Sequence, residues 1–235
     1  IRRSIRSVMT EASFLQMKHK FSRASLLAIA LVSAAGTAAA QGEASANLAV
    51  TNDYVWRGIS QSDNGFAVQG GLDYSNGGFY VGTWASNIDF GSDADIEVDI
   101  YGGYTGALSE MVSFDVGVIG YVYPGEDDLN FLEVKAGLDF AVDALGLGTT
   151  VYYDPDNKNT YLEGTASYAF NDKLSGLASV GNYSFDGGGD YTDWSVGAAY
   201  SFGLFDLTVK YTDTDIDGAG DIADENFVVM VSKSF

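Results

Sequence analysis

The sequence predicts an all-β fold, a closed antiparallel transmembrane β-barrel of about 12 strands in an up-and-down meander. Three observations lead to this prediction. Apolar and polar residues alternate with a period of two, in blocks of about ten residues. No run of about eighteen apolar residues, long enough for a membrane-spanning helix, follows residue 40. The connections between the blocks are alternately short and long.

The alternation is clearest between residues 130 and 140. Leu132 and Val134 fall on one face of this block, and Glu133 and Lys135 fall on the other. A strand sorts its side chains onto two faces in this way, whereas a helix would scatter them around its axis. Apolar residues toward lipid and polar residues toward the lumen are the pattern of a membrane barrel strand. A soluble β-sandwich is the rival interpretation, but its apolar faces point inward and its strands are usually shorter.

The blocks give an even number of strands, as a closed antiparallel barrel with both termini on one side requires. Two of them, 146–153 and 174–184, alternate poorly. The predicted strands are 45–56, 66–74, 78–87, 95–106, 111–123, 130–140, 146–153, 159–170, 174–184, 191–202, 205–212 and 225–235.

The connections favour a membrane barrel over a sandwich. Short turns and long loops are expected on opposite sides of the molecule, as in outer-membrane barrels with periplasmic turns and external loops. Only loops are expected to occlude the lumen. The long, acidic connections are 57–65, 88–94, 124–129, 154–158, 185–190 and 213–224.

Aromatic residues near the block ends suit the girdles that flank the lipid-facing band of such barrels. They are Tyr54, Trp56, Phe79, Tyr80, Trp84, Tyr168, Phe170, Trp194, Tyr200 and Phe202. The last strand ends at Phe235, and a terminal aromatic residue there resembles the signal read by the barrel-assembly machinery. Lys233 departs from that signal, because an apolar residue is usual at this position.

Residues 1–40 are predicted to be a leader and a cleaved secretory signal peptide, which leaves residues 41–235 as the barrel domain. Residues 17–23 form a basic segment, residues 24–32 a short apolar segment, and residues 38–40 an Ala-Ala-Ala cleavage site. A retained N-terminal anchor is the alternative. The apolar segment is shorter than the roughly 20 residues that span a bilayer as a helix.

The composition excludes several functions. Residues 1–40 carry six of the 12 basic residues, one of the 32 acidic residues and the one histidine, His19, so residues 41–235 carry 6 basic and 31 acidic residues. A surface this acidic does not suit nucleic acid, because phosphate contacts need Lys and Arg. Without Cys or His beyond residue 40, disulfides, thiolate or imidazole metal sites and Ser-His-Asp chemistry are excluded there. No enzyme activity is expected.

Strand parity predicts which polar side chains line the lumen. Ten are acids and three are bases, so a water-filled lumen should favour cations. The alternative is that these charges pair across strands and fill the interior. The predicted lining residues are Asp53, Arg57, Gln69, Asp73, Glu97, Asp99, Asp115, Glu133, Lys135, Asp139, Glu163, Asp193, Asp206 and Lys210.

The last long loop has the spacing of a calcium-binding loop. It reads D-x-D-x-D-G, with further acids at its ninth and twelfth positions, and the Gly suits a sharp turn. The residues predicted to bind Ca²⁺ or Mg²⁺ are Asp213, Asp215, Asp217, Asp221 and Asp224. A solvated acidic loop without metal is the alternative, since no helices flank it and Asp replaces Glu at the twelfth position. No other cofactor is expected.

Residues 51–61 (TNDYVWRGISQ) resemble the opening of the TorF family of proteobacterial porins. Residues 67–74 (AVQGGLDY), 78–87 (GFYVGTWASN), 97–104 (EVDIYGGY) and 231–235 (VSKSF) continue the resemblance. It implies a barrel in the outer membrane and a narrow pore for passive passage of ions or small polar solutes. The alternative is a non-conducting structural or binding barrel, whose acidic loops engage divalent cations or a surface partner. The expected partners are outer-membrane lipid, the barrel-assembly machinery, and small solutes or cations.

Overall fold

A computed structural model describes residues 42–235 of the protein; the predicted signal peptide lies outside these residues. The alternating blocks form antiparallel strands, and twelve of them close into a barrel, so the predicted fold class is confirmed. Two further strands, β2 and β3, form a separate small hairpin. The strands are β1 (Glu43–Thr51), β2 (Val55–Trp56), β3 (Ile59–Ser60), β4 (Ala67–Asn76), β5 (Phe79–Asn87), β6 (Ile96–Ala107), β7 (Val112–Val122), β8 (Phe131–Val142), β9 (Leu145–Tyr153), β10 (Thr160–Ala169), β11 (Leu174–Ser184), β12 (Asp190–Ser201), β13 (Asp206–Thr214) and β14 (Asn226–Ser234).

The barrel closes where β1 pairs with both β4 and β14. Its pairing with β4 runs along the whole strand, from Glu43 to Thr51. Its strand pairing with β14 is shorter and runs from Asn47 to Thr51, with backbone hydrogen bonds between Ala46 and Phe235 beyond one end. At the end with the long loops, the Asn52 backbone amide donates to the Val229 carbonyl (3.2 Å), and the Asn52 side chain adds two hydrogen bonds. Its Nδ2 donates to the Phe227 carbonyl (3.0 Å) and its Oδ1 accepts from the Val229 amide (2.6 Å). No barrel strand is therefore left with a free edge.

The connections are short at one end of the barrel and long at the other, as the sequence predicts. The β4–β5 turn shows how a short connection forms. Gly77 and Gly78 both have positive φ (59° and 91°), a backbone geometry that glycine adopts without strain and that suits a tight hairpin. Strand ends differ from the predicted ones by a few residues, and β13 extends to Thr214 rather than residue 212.

The outward face of the barrel is apolar. Leu72, Ile100 and Val180 are 61%, 57% and 52% exposed, and similar residues recur on every barrel strand. A soluble protein rarely exposes a continuous apolar belt, whereas a barrel in lipid needs one. Aromatic clusters flank this belt. Tyr200 and Phe202 pack together at the end with short turns (4.8 Å between centroids), and Trp194 packs on Tyr211 toward the other end (5.4 Å).

Four of the residues predicted for the girdles instead face the interior. Tyr80 and Trp84 lie on the inward face of β5, where Tyr80 donates a hydrogen bond to Asp115. Tyr54 and Trp56 are buried inside the barrel, and Tyr54 packs edge-to-face on Trp84. The prediction was wrong for these four because proximity to a block end does not reveal which way an aromatic side chain points.

The 3-10 turn Asp127–Leu129 is the helical segment within residues 42–235. No helix in this part of the chain is long and apolar enough to cross a membrane.

Candidate functional site

The connection between β1 and β4, residues 52–66, folds into the barrel lumen instead of extending outward. We call it the lumen hairpin. Val55 pairs with Ser60 and Trp56 with Ile59, and the side chains of Trp56, Arg57 and Ile59 are buried. The predicted first strand, 45–56, is therefore wrong at its end, because the barrel strand stops at Thr51 and the chain then turns inward.

The tip of the lumen hairpin needs glycine at position 58. Arg57 and Gly58 both have positive φ (46° and 80°), which turns the chain between β2 and β3. A Cβ atom on residue 58 would lie 2.3 Å from Thr214 Cγ2 and 2.8 Å from Asp193 Cβ. Only glycine therefore lets the hairpin tip approach the barrel wall this closely.

Asp53 fixes the base of the hairpin. Its carboxylate accepts hydrogen bonds from Ser60 Oγ (2.6 Å), Ser62 Oγ (2.9 Å) and Asn226 Nδ2 (2.6 Å). Burial raises the pKa of Asp53, and the hydrogen bonds donated to its carboxylate oppose that shift. The Ser60 amide also donates to the Ile222 carbonyl (2.7 Å). The hairpin is thus tied both to β14 and to the loop between β13 and β14.

Arg57 anchors the tip of the hairpin to the far wall. Its Nη1 and Nη2 donate to the two oxygens of Glu133 on β8, each at 3.0 Å, and both side chains are almost fully buried. Tyr121 OH donates to Glu133 Oε2 (3.2 Å), and Tyr191 OH donates to the Arg57 carbonyl (3.1 Å). A bidentate pair of this kind is strong and geometrically specific.

Four aromatic rings surround the Arg57 guanidinium. Its Cζ lies 4.3 Å from the ring centroid of Trp56 in the hairpin, and 5.0, 4.0 and 5.3 Å from those of Tyr152, Tyr161 and Tyr183 in the wall. These are cation–π distances. We call Glu133, Tyr152, Tyr161 and Tyr183, which contact the guanidinium from the barrel strands, the guanidinium pocket. Trp56 is left out because it belongs to the hairpin.

Cross-strand pairing builds the wall of this pocket. Tyr152 pairs with Tyr161, Tyr161 with Tyr183, and Tyr183 with Tyr191, so one tyrosine ladder runs across β9 to β12. Gly181 makes room for the ladder, because a Cβ there would lie 2.0 Å from Tyr161 OH. Aromatic neighbours on one sheet face stabilise strand pairing and hold one another in place.

The half of the lumen nearer the short turns is polar and partly paired. Lys135 Nζ donates to Asp115 Oδ2 (2.5 Å), and Tyr80 OH donates to Asp115 Oδ1 (2.7 Å). Tyr101 OH donates to Asp73 Oδ1 (2.5 Å). These contacts fix the charged side chains of Asp73, Asp115 and Lys135 on the barrel wall.

All fourteen predicted lining residues face the interior. Asp53 and Arg57 reach it through the lumen hairpin, and the other twelve occupy inward positions on barrel strands. Gln69, Glu97, Asp99, Glu133, Glu163 and Asp193 are buried, Asp73, Asp115, Lys135, Asp206 and Lys210 are half-buried, and Asp139 is exposed. Their role in conducting solute stays a prediction. Phe235 is exposed on the outer surface, with Lys233 Nζ 4.8 Å from its ring.

Sequence reasoning missed the tyrosine ladder, although a signal for it was present. The predicted blocks 146–153 and 174–184 alternate poorly because Tyr152, Leu177 and Tyr183 are buried on the inward face. Inward aromatic residues beside long loops therefore mark a packed interior at that level of the barrel.

Small cavities remain beside the hairpin. One, of about 170 Å³, is lined by Ile59, Ser60 and Gln61 among other residues. A cavity of about 50 Å³ lies between Arg57, Glu163, Asp193 and Lys210, among other residues. This volume holds a few waters, and it is far below the roughly 300 Å³ at which small-molecule pockets begin. The hairpin therefore leaves little free volume beside Arg57.

The five residues of the calcium-like loop are not brought together. Within residues 42–235, no group of three or more acidic side chains is placed to hold a metal ion. Asp213 belongs to β13, and its Oδ1 accepts from the Thr214 amide (2.8 Å), while Asp215 Oδ1 accepts from the Thr192 amide (2.7 Å). Metal binding by Asp213, Asp215, Asp217, Asp221 and Asp224 stays a prediction.

Comparison with known proteins places this site in a family context. The profile of Gcw_chp, described as a bacterial protein of unknown function, matches residues 35–235. The chain belongs to the Gcw_chp family. The barrel of this Gcw_chp protein is similar to the KdgM porin (TM-score 0.61, 12% identity, 81% of this chain and 99% of that one). It is also similar to the NanC porin (TM-score 0.56, 13% identity, 81% of this chain and 98% of that one). These likenesses show a common fold, and no curated protein matches the sequence.

Proposed function

We propose that this Gcw_chp protein is an outer-membrane porin, a narrow, cation-favouring channel for passive passage of ions or small polar solutes. The observation that carries the proposal is a closed barrel with an apolar outer belt and an acid-rich interior. The shared fold with two proteins named as porins, and the resemblance of residues 51–104 to TorF family porins, support the same function. This is a channel rather than an enzyme.

The cation preference follows from the charges inside the barrel. Ten acids and three bases face the interior, and each base has an acidic neighbour. Arg57 pairs with Glu133, Lys135 pairs with Asp115, and Lys210 lies within electrostatic range of Glu163. The remaining carboxylates lower the energy of positive charge in the lumen.

The acid-rich interior also argues against anionic sugars as solutes. A KdgM porin has been observed with oligogalacturonate, a polyanion at neutral pH. A lumen with an excess of carboxylates would repel such a chain. We therefore expect small cations or neutral polar solutes to pass in preference to acidic oligosaccharides.

Reversal potentials across planar bilayers test the proposal. With a tenfold KCl concentration gradient across the bilayer, the current through the refolded protein should reverse at a potential shifted toward the potassium equilibrium potential. The triple variant Asp73→Asn, Asp139→Asn, Asp206→Asn should move the reversal potential toward zero, because it removes three inward carboxylates. A matched triple in external loops, Asp127→Asn, Asp156→Asn, Asp186→Asn, should shift it less. Anion selectivity of the wild type would contradict the proposed preference.

A charge on the outer belt tests the membrane location. Val196→Arg, at an outward position of β12 that is 52% exposed, should lower the free energy of unfolding in lipid vesicles by about 2–4 kcal/mol, since arginine is costly near the bilayer midplane. Asp186→Arg, in the loop after β11, should cost about 0–1 kcal/mol. Denaturant unfolding followed by tryptophan fluorescence measures both. Equal costs would place Val196 outside the lipid.

The lumen hairpin favours a second candidate, a non-conducting structural or binding barrel. The hairpin leaves a cavity of only about 50 Å³ beside Arg57. A silent bilayer, with insertion verified by protease protection and heat-modifiable mobility, would support this candidate and refute the porin.

A further inference from the structure

We propose that the guanidinium pocket is a binding site for small solutes that carry a guanidinium group, which occupy it in place of the Arg57 side chain. This inference deepens the proposed porin function by naming a solute class. Binding itself does not require conduction, so the two proposals can fail separately.

The pocket has the chemistry of a selective guanidinium site. The Glu133 carboxylate receives two parallel N–H donors at 3.0 Å, and Tyr121 OH holds that carboxylate from the side. The rings of Tyr152, Tyr161 and Tyr183 lie 4.0 to 5.3 Å from the guanidinium carbon. A planar, delocalised cation satisfies the carboxylate and the rings at once, whereas an ammonium group cannot make the bidentate pair.

The occupant and the pocket belong to different parts of the fold. Glu133, Tyr152, Tyr161 and Tyr183 project from β8, β9, β10 and β11, whose pairing runs continuously around the barrel. Arg57 is carried by the lumen hairpin, whose two strands have two residues each. Withdrawal of Arg57 would therefore leave the carboxylate and three rings in place.

An empty pocket would be unfavourable, which drives binding. The Glu133 side chain is 2% exposed, and a buried carboxylate without a cation is strongly destabilising. Other inward carboxylates, such as Glu163 and Asp193, raise the local concentration of cations in the lumen. A guanidinium-bearing solute restores the charge pair that the withdrawal of Arg57 breaks.

Competition with Arg57 sets the affinity in the wild type. The tether gives Arg57 a high effective concentration at the pocket, so a free solute binds the intact protein weakly. The positive φ of Arg57 (46°) adds conformational strain, which the contacts of its side chain help to offset. Removal of the Arg57 side chain should therefore reveal the site.

Titration of methylguanidinium into Arg57→Ala protein in detergent micelles, by calorimetry at low millimolar concentration, tests the proposal. We expect saturable binding at least about tenfold tighter than that of methylammonium, because only the planar cation makes two hydrogen bonds. The double variant Arg57→Ala, Glu133→Gln should lose about a hundredfold or more, since the charge pair is gone. The double variant Arg57→Ala, Tyr161→Leu should lose up to about tenfold, because it lacks the nearest ring.

Lys135→Ala provides a matched control. It also removes an inward cation from a carboxylate, but Asp115 is more exposed than Glu133. The cation there, Lys135 Nζ, lies over one ring, that of Tyr80, at 5.5 Å from its centroid. This variant should show no saturable methylguanidinium binding. Binding equal to that of Arg57→Ala would mean that any freed carboxylate suffices, and it would overturn the proposal.

The remaining outcomes also decide. Folded Arg57→Ala protein that binds no methylguanidinium, or that binds it equally well after Glu133→Gln, overturns the proposal. If Arg57→Ala fails to refold in buffer, refolding rescued by methylguanidinium but not by methylammonium supports the site, and failure with both overturns it. If the barrel conducts but Arg57→Ala binds no methylguanidinium, this inference is wrong and the porin proposal stands. If Arg57→Ala binds methylguanidinium but the barrel does not conduct, the porin proposal is wrong and this inference stands.

Discussion

Deletion of most of the lumen hairpin is expected to raise the single-channel conductance by about an order of magnitude. A barrel of this strand number is intermediate between side-chain-filled and open barrels, so its lumen can conduct once the hairpin is gone. The variant replaces residues 54–62 with Gly-Ser-Gly and keeps β1 and β4 intact. The reason is that Trp56, Arg57 and Ile59 fill the lumen where the cavity is only about 50 Å³. Recording in planar bilayers in symmetric KCl measures the effect.

A control deletion separates release of the lumen from general loosening of the loops. Shortening the loop between β7 and β8 within residues 125–129 alters the same end of the barrel, but the 3-10 turn Asp127–Leu129 has no buried residue. This variant should keep the wild-type conductance. An unchanged conductance after the hairpin deletion, in verified barrels, would show that the constriction lies elsewhere.

Glu133→Leu is expected to lower the free energy of unfolding by about 3–5 kcal/mol, because it leaves the buried Arg57 guanidinium without its carboxylate. The double variant Arg57→Met, Glu133→Leu should regain most of that loss, since it buries no unpaired charge. Urea unfolding in lipid vesicles, followed by tryptophan fluorescence, compares the variants. One of the three tryptophans, Trp56, reports on the site, because its ring centroid lies 4.3 Å from the Arg57 guanidinium carbon.

The second ion pair of the lumen calibrates this result. Lys135 and Asp115 form a pair whose side chains are 19% and 27% exposed, so Asp115→Asn should cost only about 1 kcal/mol or less. If Glu133→Leu costs no more than Asp115→Asn, the Arg57 pair does not anchor the hairpin.

The barrel was predictable from the sequence because lipid imposes one rule on every strand. Each outward position must be apolar, so Leu132 and Val134 around Glu133 already show the two faces of β8. Charged residues on the opposite face could therefore be assigned to the interior from parity alone.

The lumen hairpin could not be predicted in this way. Tyr54, Val55 and Trp56 continue the alternation of β1, so the sequence looks like one long strand. The inward turn depends on the positive φ of Arg57 and Gly58 and on a partner, Glu133, that lies 76 residues further along the chain. A period-two pattern carries no information about contacts at that separation.

The tyrosine ladder was hidden for a related reason. Tyrosine is amphipathic, so Tyr152 and Tyr183 fit an interfacial girdle as well as a packed interior. Only the pairing of β9 to β12 shows that these rings share the inward face.

The inward fold of the hairpin also decides how the barrel wall is closed. Because the chain leaves the wall at Asn52, β1 ends before the part of β14 nearest the long loops, and there the backbone amide and side chain of Asn52 together supply the hydrogen bonds to β14. The join between the first and last strands is thus the part of the cylinder with the least main-chain support. We therefore expect a force that pulls the hairpin out of the lumen to act on Asn52, the residue that also holds the first strand to the last.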